Sequence, residues 1–240
     1  MLHRALGAFI LLAALAVSPS APAQSTAAQS VSGAVRHVAI MDGASGAMLY
    51  CDECDTPMPP ASMSKLMTVL MVAERLASGQ INMDTRFRVS ERAWRHGAVS
   101  DGSHMFLELN SEVSVRDLLA GVIVVSANDA CIVLAEGISG SEEAFVAAMN
   151  RRAQEIGLSS ARFRNTTGLP DPDHVISAAD LARLAQFLIR EFPELYALYS
   201  QRTFTYNNRT QENRNPLLGA FAGADGVKTG HTSVSGCGLS

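Results

Sequence analysis

The stretch from Ser62 to Leu76 constrains the fold more than any other, because it is apolar on almost every face of a helix. A helix of this kind is stable only where other elements cover it on all sides. A chain of 240 residues with 48% apolar content is long enough to build such a core. The sequence therefore predicts a buried helix at the centre of the domain. Its apolar positions are Met63, Leu66, Met67, Val69, Leu70, Met71 and Val72.

Strand patterns lie near both ends of the folded region, and helical patterns lie between them. Two short apolar runs flank the turn residues 42–46 and predict a β-hairpin from Val38 to Tyr50. This order predicts an α/β protein whose sheet gathers both ends of the chain around a helical middle. Four further helices are predicted: two cover 115–125 and 129–136, one begins at Ser141, and one begins at the Ser177–Asp180 capping box. The other predicted strands cover 203–206 and 226–232.

The first 23 residues have the three parts of a secretory signal peptide: a basic start, an apolar run from Ala5 to Val17 and the cleavage motif Ala21-Pro22-Ala23. The apolar run is shorter than the ~20 residues that span a bilayer, which disfavours the alternative of a membrane anchor. We expect cleavage after Ala23, a flexible leader over residues 24–34 and a folded domain over residues 35–240. The mature chain is then exported to the periplasm or another extracytoplasmic space.

Charge and cysteine content exclude several classes of partner. The formal net charge is −4 and the chain has no run of basic residues, so nucleic acid is not expected as a partner. Cys51-x-x-Cys54 has no second pair or nearby histidine, which disfavours a zinc site and leaves loop cysteines, free or bridged. Cys131 and Cys237 are predicted to be small buried hydrophobic residues.

The tetrapeptide Ser62-Met63-Ser64-Lys65 opens the predicted central helix. Residues i and i+3 are neighbours on a helix, so the Lys65 amine can reach the Ser62 hydroxyl. Serine needs an adjacent base to act as a nucleophile, and lysine serves when burial and nearby positive charge lower its pKa. Alone the motif is weak, because roughly one Ser-x-x-Lys is expected by chance in a chain of this size. The alternative is an N-cap serine beside a surface lysine.

Two further motifs strengthen the catalytic interpretation. Ser126-Ala127-Asn128 lies 64 residues after Ser62, and Lys228-Thr229-Gly230 lies 102 residues after Ser126. The hydroxyl and amide of the first suit proton relay and the positioning of a substrate amide. The cation and hydroxyl of the second suit a substrate carboxylate, and its glycine lets the backbone approach a bound peptide. This order of motifs resembles that of the penicillin-recognising enzymes.

Lys65 and Lys228 are the only lysines in the chain, against seventeen arginines. Arginine cannot be deprotonated in proteins and lacks the compact charge of an ammonium group, so it cannot replace lysine as a general base. Two unrelated surface lysines would rarely both fall within these motifs. The distribution therefore favours functional roles for both.

From about Val38 to its end, the chain resembles the low-molecular-mass penicillin-binding proteins that act as D-alanyl-D-alanine carboxypeptidases. The resemblance implies a two-lobed, β-lactamase/transpeptidase-like fold, with an antiparallel sheet flanked by helices and a helical lobe. Members of that family continue with two more strands and a helix, so we expect the catalytic domain to be incomplete at its C-terminus. The matching stretches beyond the three motifs are Pro60-Ala61-Ser62, Met105-Phe106-Leu107, Ser126–Ala130, Asn213-Arg214-Asn215 and Asp225–Thr232.

The resemblance also implies a mechanism without a metal or organic cofactor. Ser62 attacks the penultimate D-alanine carbonyl with neutral Lys65 as base, and an acyl-enzyme forms. Ser126 relays a proton to the departing D-alanine, whose carboxylate is held by Lys228 and Thr229.

The remaining site residues have supporting roles. Asn128 is expected to position the substrate and Gly230 to admit it. The resemblance implies that the backbone N–H groups of His231 and of the nucleophile form the oxyanion hole. Arg214 either helps to hold the substrate carboxylate or braces the sheet, and both interpretations stay open. No role is predicted for the His231 ring. Ser64 is expected to be structural, and His96, His104 and His174 are expected to be surface or loop residues.

The implied partners are peptidoglycan peptides that end in D-Ala-D-Ala, with β-lactam antibiotics as covalent inhibitors. Membrane contact is expected only if a longer form carries the amphipathic tail found in the family. A β-lactamase is the nearest alternative, but the class A enzymes use a Glu-x-x-Leu-Asn motif that this sequence lacks. A non-catalytic cell-wall binding or scaffold protein with the same fold is the other alternative.

Overall fold

The computed structural model describes residues 35–99 and 102–240, so the predicted signal peptide and leader lie outside the described residues. At the centre is helix α1 (Lys65–Ala77), which follows a 3₁₀ turn over Ala61–Ser64. Every α1 residue from Lys65 to Ala73 is buried, which confirms the predicted core helix. The helix begins three residues later than expected. Because side chains at i and i+3 eclipse one another in a 3₁₀ turn, Ser62 and Lys65 still lie side by side.

Helices surround α1 on several sides and confirm the predicted helical middle. Those that contact it are α3, α4, α5 and α6. Ser141 and Ser177 cap their helices as predicted, with hydroxyl oxygens that accept from the N–H groups of Ala144 and Asp180. The helices after α1 are α2 (Glu91–Val99), α3 (Val115–Val124), α4 (Asn128–Ser139), α5 (Glu142–Glu155), α6 (Ala178–Glu191) and α7 (Pro193–Tyr196), with a second 3₁₀ turn at Ala197–Ser200.

Only half of the predicted capping box at Ser177 forms. The Asp180 carboxylate accepts from the N–H and hydroxyl of Ser160 instead of the Ser177 N–H. The Ser177 N–H in turn donates to the Ser160 hydroxyl at 2.9 Å. A serine distant in sequence therefore takes the place of the second local bond.

All strands of the described residues pair in antiparallel two-stranded ribbons. They are β1 (Val38–Met41) with β2 (Met48–Asp52), β3 (Arg86–Arg88) with β4 (Glu112–Ser114), β5 (Thr203–Tyr206) with β6 (Arg209–Glu212), and β7 (Thr229–Thr232) with β8 (Gly236–Leu239). The predicted hairpin and the strand at 203–206 are confirmed. The last predicted strand begins at Thr229 instead of residue 226, although Lys228 still pairs with Ser240 through its backbone.

The expected single sheet that gathers both ends of the chain does not form within the described residues, where the ribbons stay separate. Each ribbon instead packs on helical structure: β1 contacts α6, and β7 contacts the 3₁₀ turn that carries Ser62. No described helix combines the length and apolarity that crossing a membrane requires. The ribbon that carries Lys228-Thr229-Gly230 is thereby placed against the start of α1.

Candidate active site

Ser62 and Lys65 are in direct contact at the start of α1. The Lys65 Nζ lies 2.8 Å from the Ser62 Oγ and donates a second hydrogen bond, of 2.5 Å, to the Thr167 carbonyl oxygen. Lys65 is fully buried, and this burial lowers its pKa to about 8, against the opposing effects of Cys131 and Asp129. A neutral amine is therefore accessible near neutral pH, as a base for Ser62 requires.

The segment 165–168 supports this pair from behind, and the sequence analysis missed it. The Asn165 Oδ1 accepts from the backbone N–H groups of Thr167 and Gly168, which folds the segment into a turn. Gly168 has φ +81°, and a Cβ there would overlap the Ala61 carbonyl oxygen. The residue types Asn-Thr-Thr-Gly indicate a turn. They do not indicate that the turn packs on the nucleophile.

Ser126 and Asn128 lie at the junction of α3 and α4. Ser126 is buried and has φ +63°, a left-handed conformation that side chains other than glycine seldom adopt and that is concentrated at functional sites. Among the described residues its Oγ has no hydrogen-bond partner. Asn128 is also buried, and its N–H donates to the Ser103 carbonyl at 2.8 Å. An unpaired buried hydroxyl is suited to receive or pass a proton once substrate is bound.

Asp129 is a supporting residue that the motif analysis did not single out. Its buried carboxylate accepts hydrogen bonds from the N–H groups of Met105, Leu107 and Ala130. Burial raises the pKa of Asp129. The bonds attach the Met105-Phe106-Leu107 stretch to the start of α4, directly beside Asn128.

Lys228 enters the site from the β7 side. It is buried, and this burial, together with the positive charges of Lys65 and Arg214, lowers its pKa to about 7. Its Nζ donates to the Thr229 carbonyl oxygen at 3.1 Å. A Cβ at Gly230 would lie 2.9 Å from the Pro60 carbonyl oxygen, so the absence of a side chain lets β7 approach the turn that carries the nucleophile.

Among the described strands, β7 pairs only with β8, and we call its opposite edge the free edge. Lys228 and Ser240 exchange two hydrogen bonds, of 3.0 and 2.9 Å. In an antiparallel pair such exchanges occur at alternate residues, so the N–H and C=O groups of Thr229 and His231 point away from β8. The His231 N–H therefore lies on the edge where the sequence analysis placed an oxyanion-hole donor.

Arg214 lies at the rim of this cluster. Its N–H donates to the Val124 carbonyl at 3.3 Å, which attaches its segment to the end of α3. The neighbouring Asn215 amide donates to the Gly226 carbonyl at 2.8 Å, just before Lys228. Within the described part of the chain, the guanidinium of Arg214 forms no ion pair. The backbone of Arg214 thus braces the structure, while its guanidinium charge stays available to bind an anion.

The cysteine predictions were partly wrong. Cys51 and Cys54 form a disulfide, and Cys131 is buried as expected. Cys237 is exposed, and its Sγ lies 3.3 Å from the His231 Nδ1. The two residues are cross-strand partners on the outer face of the β7–β8 ribbon, whereas Gly230 and Gly238 occupy the inner face.

His174 lies in a loop, as expected, but it is not at the surface. It is buried, packs edge-on against Phe163, and its Nδ1 accepts from the Arg164 N–H at 3.3 Å. Burial lowers the pKa of His174 to about 4. The polar sequence around it gave no sign of this packing.

The two free cysteines differ in exposure, and this difference predicts how readily each thiol reacts. Iodoacetamide should alkylate Cys237 in the folded chain and spare Cys131, which is fully buried. Peptide mass mapping after brief labelling measures the two yields, and labelling in denaturant, where both thiols should react, is the control. Equal labelling of both cysteines without denaturant would contradict the exposed position of Cys237.

Comparisons with known proteins agree with this geometry. A family model described as D-alanyl-D-alanine carboxypeptidase matches residues 23–240. The D-alanyl-D-alanine carboxypeptidase DacA of Haemophilus influenzae is 42% identical over 98% of this chain and 59% of its own length. The chain thus spans well under two thirds of that relative.

Solved structures show the same fold. Penicillin-binding protein 5 of Haemophilus influenzae matches with a TM-score of 0.81 and 44% identity, over 84% of this chain and 58% of that one. Penicillin-binding protein D2 of Listeria monocytogenes, solved in an ampicillin-bound form, matches with a TM-score of 0.72 and 30% identity, over 84% of this chain and 80% of that one. These likenesses confirm the predicted fold class.

Proposed function

Because this chain belongs to the D-alanyl-D-alanine carboxypeptidase family, we propose that it removes the terminal D-alanine from peptidoglycan stem peptides through an acyl-enzyme on Ser62. The observation that carries the proposal is the 2.8 Å contact between the Ser62 Oγ and a buried Lys65 whose pKa is lowered to about 8. A hydroxyl in contact with such an amine is equipped for nucleophilic attack.

In the proposed reaction, neutral Lys65 takes the Ser62 proton as the Oγ attacks the penultimate D-alanine carbonyl. The backbone N–H groups of Ser62 and His231 stabilise the oxyanion. The Ser126 hydroxyl passes a proton to the leaving amine nitrogen and is reprotonated by the Lys65 ammonium, so that the C–N bond breaks and D-alanine departs. Water then attacks the ester, gives a proton to Lys65, and the Ser62 oxygen recovers that proton as it leaves.

The substrate peptide lies along the free edge of β7 as an additional strand, because the backbone groups of Thr229 and His231 face that edge. Lys228, the Thr229 hydroxyl and Arg214 hold the terminal carboxylate of the substrate. The Arg214 charge contributes to the lowered pKa of Lys228, which supports its nearness to this position. Asn128 orients the substrate amide beside the nucleophile.

The proposal includes covalent inhibition by β-lactams, which present a carboxylate and a reactive amide to the same groups. It also includes export, with residues 1–23 as a cleaved signal peptide and residues 35–240 as a catalytic domain.

One assay distinguishes an enzyme that uses Ser62 and Lys65 in turnover from a scaffold protein that merely keeps the fold. Release of D-alanine from a peptide that ends in D-Ala-D-Ala tests catalysis directly.

The chain should release D-alanine from that peptide and fail to process the same peptide with an amidated C-terminus. Amidation removes the anion that Lys228, Thr229 and Arg214 are proposed to bind. An enzymatic D-alanine assay measures both rates. Equal turnover of the two peptides would refute carboxylate recognition, and an absence of turnover in a folded sample would favour the scaffold alternative.

The rate of acylation by penicillin should pass through a maximum between about pH 7 and about pH 8. Lys65 must be neutral, so the rate rises as pH increases through its pKa of about 8. Lys228 must be charged to bind the penicillin carboxylate, so the rate falls as pH increases through its pKa of about 7. Second-order acylation rates measured across this range test the prediction. A rate that does not vary with pH would contradict both assignments.

A further inference from the structure

Glu142 is a buried carboxylate close behind the proposed base. It begins α5, and its residue exposure is only 6%. Its Oε1 accepts two hydrogen bonds from Thr166, from the N–H at 3.0 Å and from the hydroxyl at 2.8 Å. Its Oε2 forms an ion pair of 2.5 Å with Arg92. A buried carboxylate is tolerated only where its oxygens are paired in this way.

The backbone that Glu142 holds reaches α1 on its other side. The Thr166 carbonyl oxygen accepts from the Thr68 hydroxyl at 2.8 Å, and the Thr167 carbonyl oxygen accepts from the Lys65 Nζ at 2.5 Å. Glu142 therefore holds Thr166 from the α5 side, while the carbonyls of Thr166 and of the residue after it face α1. The Lys65 amine lies between one of these carbonyls and the nucleophile.

The Thr167 carbonyl controls the orientation of the amine. When neutral Lys65 gives an N–H to this carbonyl, rotation about the Cε–Nζ bond is restricted and the nitrogen lone pair can face the Ser62 hydroxyl. A displacement of about 1 Å in such a contact can cost roughly 10²-fold in rate. The position of the carbonyl oxygen consequently matters for proton transfer.

We propose that Glu142 is a positioning residue for the general base, which acts through Thr166 to hold the Thr167 carbonyl oxygen against Lys65. The proposal rests on the proposed function, because it assigns Lys65 the role of base. The adjacent Glu143 provides a matched control. Its side chain is 69% exposed and also pairs with Arg92, at 2.7 Å, so it shares the ion pair but not the buried contact with Thr166.

Acylation by penicillin is the first test. Glu142→Ala should acylate about 10²-fold more slowly than the parent, because the Thr166 donors lose their acceptor. Glu142→Gln should recover much of that loss, since an amide oxygen can still accept from Thr166, and Glu143→Gln should match the parent. Glu142→Ala that acylates as fast as Glu143→Gln would overturn the proposal.

A second variant guards against simple unfolding. Thr166→Val keeps the size of the side chain and removes only the hydroxyl that donates to Glu142, so a smaller loss of rate is expected in a chain that melts like the parent. Thermal unfolding is recorded for every variant. Two results together would overturn the proposal: a folded Thr166→Val that acylates at the parent's rate, and a folded Glu142→Gln that is as slow as Glu142→Ala. The contact between Glu142 and Thr166 would then have no effect on the rate of acylation.

The two lysines allow a readout that does not depend on catalysis. Lysine labelled with ¹³C at Cε gives one resonance each for Lys65 and Lys228, and Lys228→Arg assigns them. Glu142→Ala should lower the titration midpoint of Lys65, because its ammonium form loses a well-placed acceptor. The Lys228 midpoint should not fall with it, because a Lys65 that is neutral at lower pH repels the Lys228 ammonium less. The other titratable groups that interact with Lys65, namely Asp129, Cys131, His174 and Lys228, are all still present in Glu142→Ala.

The proposal would be overturned if the Lys65 titration midpoint in Glu142→Ala were equal to or higher than the Lys65 midpoint in Glu143→Gln. The titration also separates two kinds of failure. If the parent does not acylate, the proposed function fails, yet a lowered Lys65 midpoint in Glu142→Ala would still show that Glu142 positions the amine. If the parent acylates and the midpoint does not fall, only the positioning role fails.

Discussion

Ser62→Ala is expected to lower the release of D-alanine by roughly 10⁶-fold, the scale of loss when a serine peptidase loses its nucleophile. Ser62 supplies the only described hydroxyl in hydrogen-bond contact with the Lys65 amine. Without the Oγ no acyl-enzyme forms, and water in its place lacks the proximity that the covalent route provides. Steady-state D-alanine release by parent and variant measures the effect.

Ser64→Ala is the matched control for this substitution. Ser64 lies in the same 3₁₀ turn, but its hydroxyl donates to the Ala61 carbonyl at 3.0 Å and does not contact Lys65. Loss of this hydrogen bond should lower the melting temperature, whereas the folded fraction should still turn over substrate at close to the parent's rate. Turnover by Ser62→Ala at a rate near that of Ser64→Ala would show that another residue is the nucleophile.

Lys65→Arg is expected to reduce acylation by about 10³-fold, within the range that a general base contributes. Arginine keeps the positive charge but cannot be deprotonated in a protein, so it cannot accept the Ser62 proton. Burial lowers the pKa of Lys65 to about 8, so a neutral amine is accessible near neutral pH. A guanidinium group has no comparable neutral form. Rapid-mixing measurements of penicillin acylation test the loss.

The fold of Lys65→Arg is checked by thermal unfolding, because a larger cation at a fully buried position can disturb packing. The substitution is informative only where the variant melts cooperatively. Acylation within about tenfold of the parent in such a sample would show that Lys65 is not the base.

Local sequence pattern was sufficient for the central helix and the three motifs. The apolar stretch after Ser62 predicted α1, and the motif analysis singled out Lys65 and Lys228, which the structure buries. In each case the signal lies within a few residues of the feature it predicts. The predicted strand at 203–206 agrees with β5 for the same reason.

The support behind the base was not predictable in this way. The Lys65 contact with Thr167 spans 102 residues, and the Thr68 contact with Thr166 spans 98. Glu142 looks in sequence like an ordinary acidic residue in the first turn of a helix, next to an equally acidic neighbour. Only the tertiary fold distinguishes the buried carboxylate from the exposed one.

The error at Cys237 and the unexpected burial of His174 have a related cause. Cysteine is commonly buried and histidine in a polar loop is commonly exposed, so residue type favoured the wrong environment for each. Cross-strand pairing with His231 places Cys237 on the outer face of its ribbon, and contact with Phe163 encloses His174. Both outcomes depend on partners that are not adjacent in the local pattern.

The central claim is that Ser62 is the nucleophile, and intact-mass measurement of the unaltered chain after incubation with penicillin tests it most directly. We predict a single adduct with the mass of one intact penicillin, located by fragment mapping on the peptide that contains Ser62. A folded chain that gains no mass, or an adduct that maps to Ser126 or another residue, would contradict the claim.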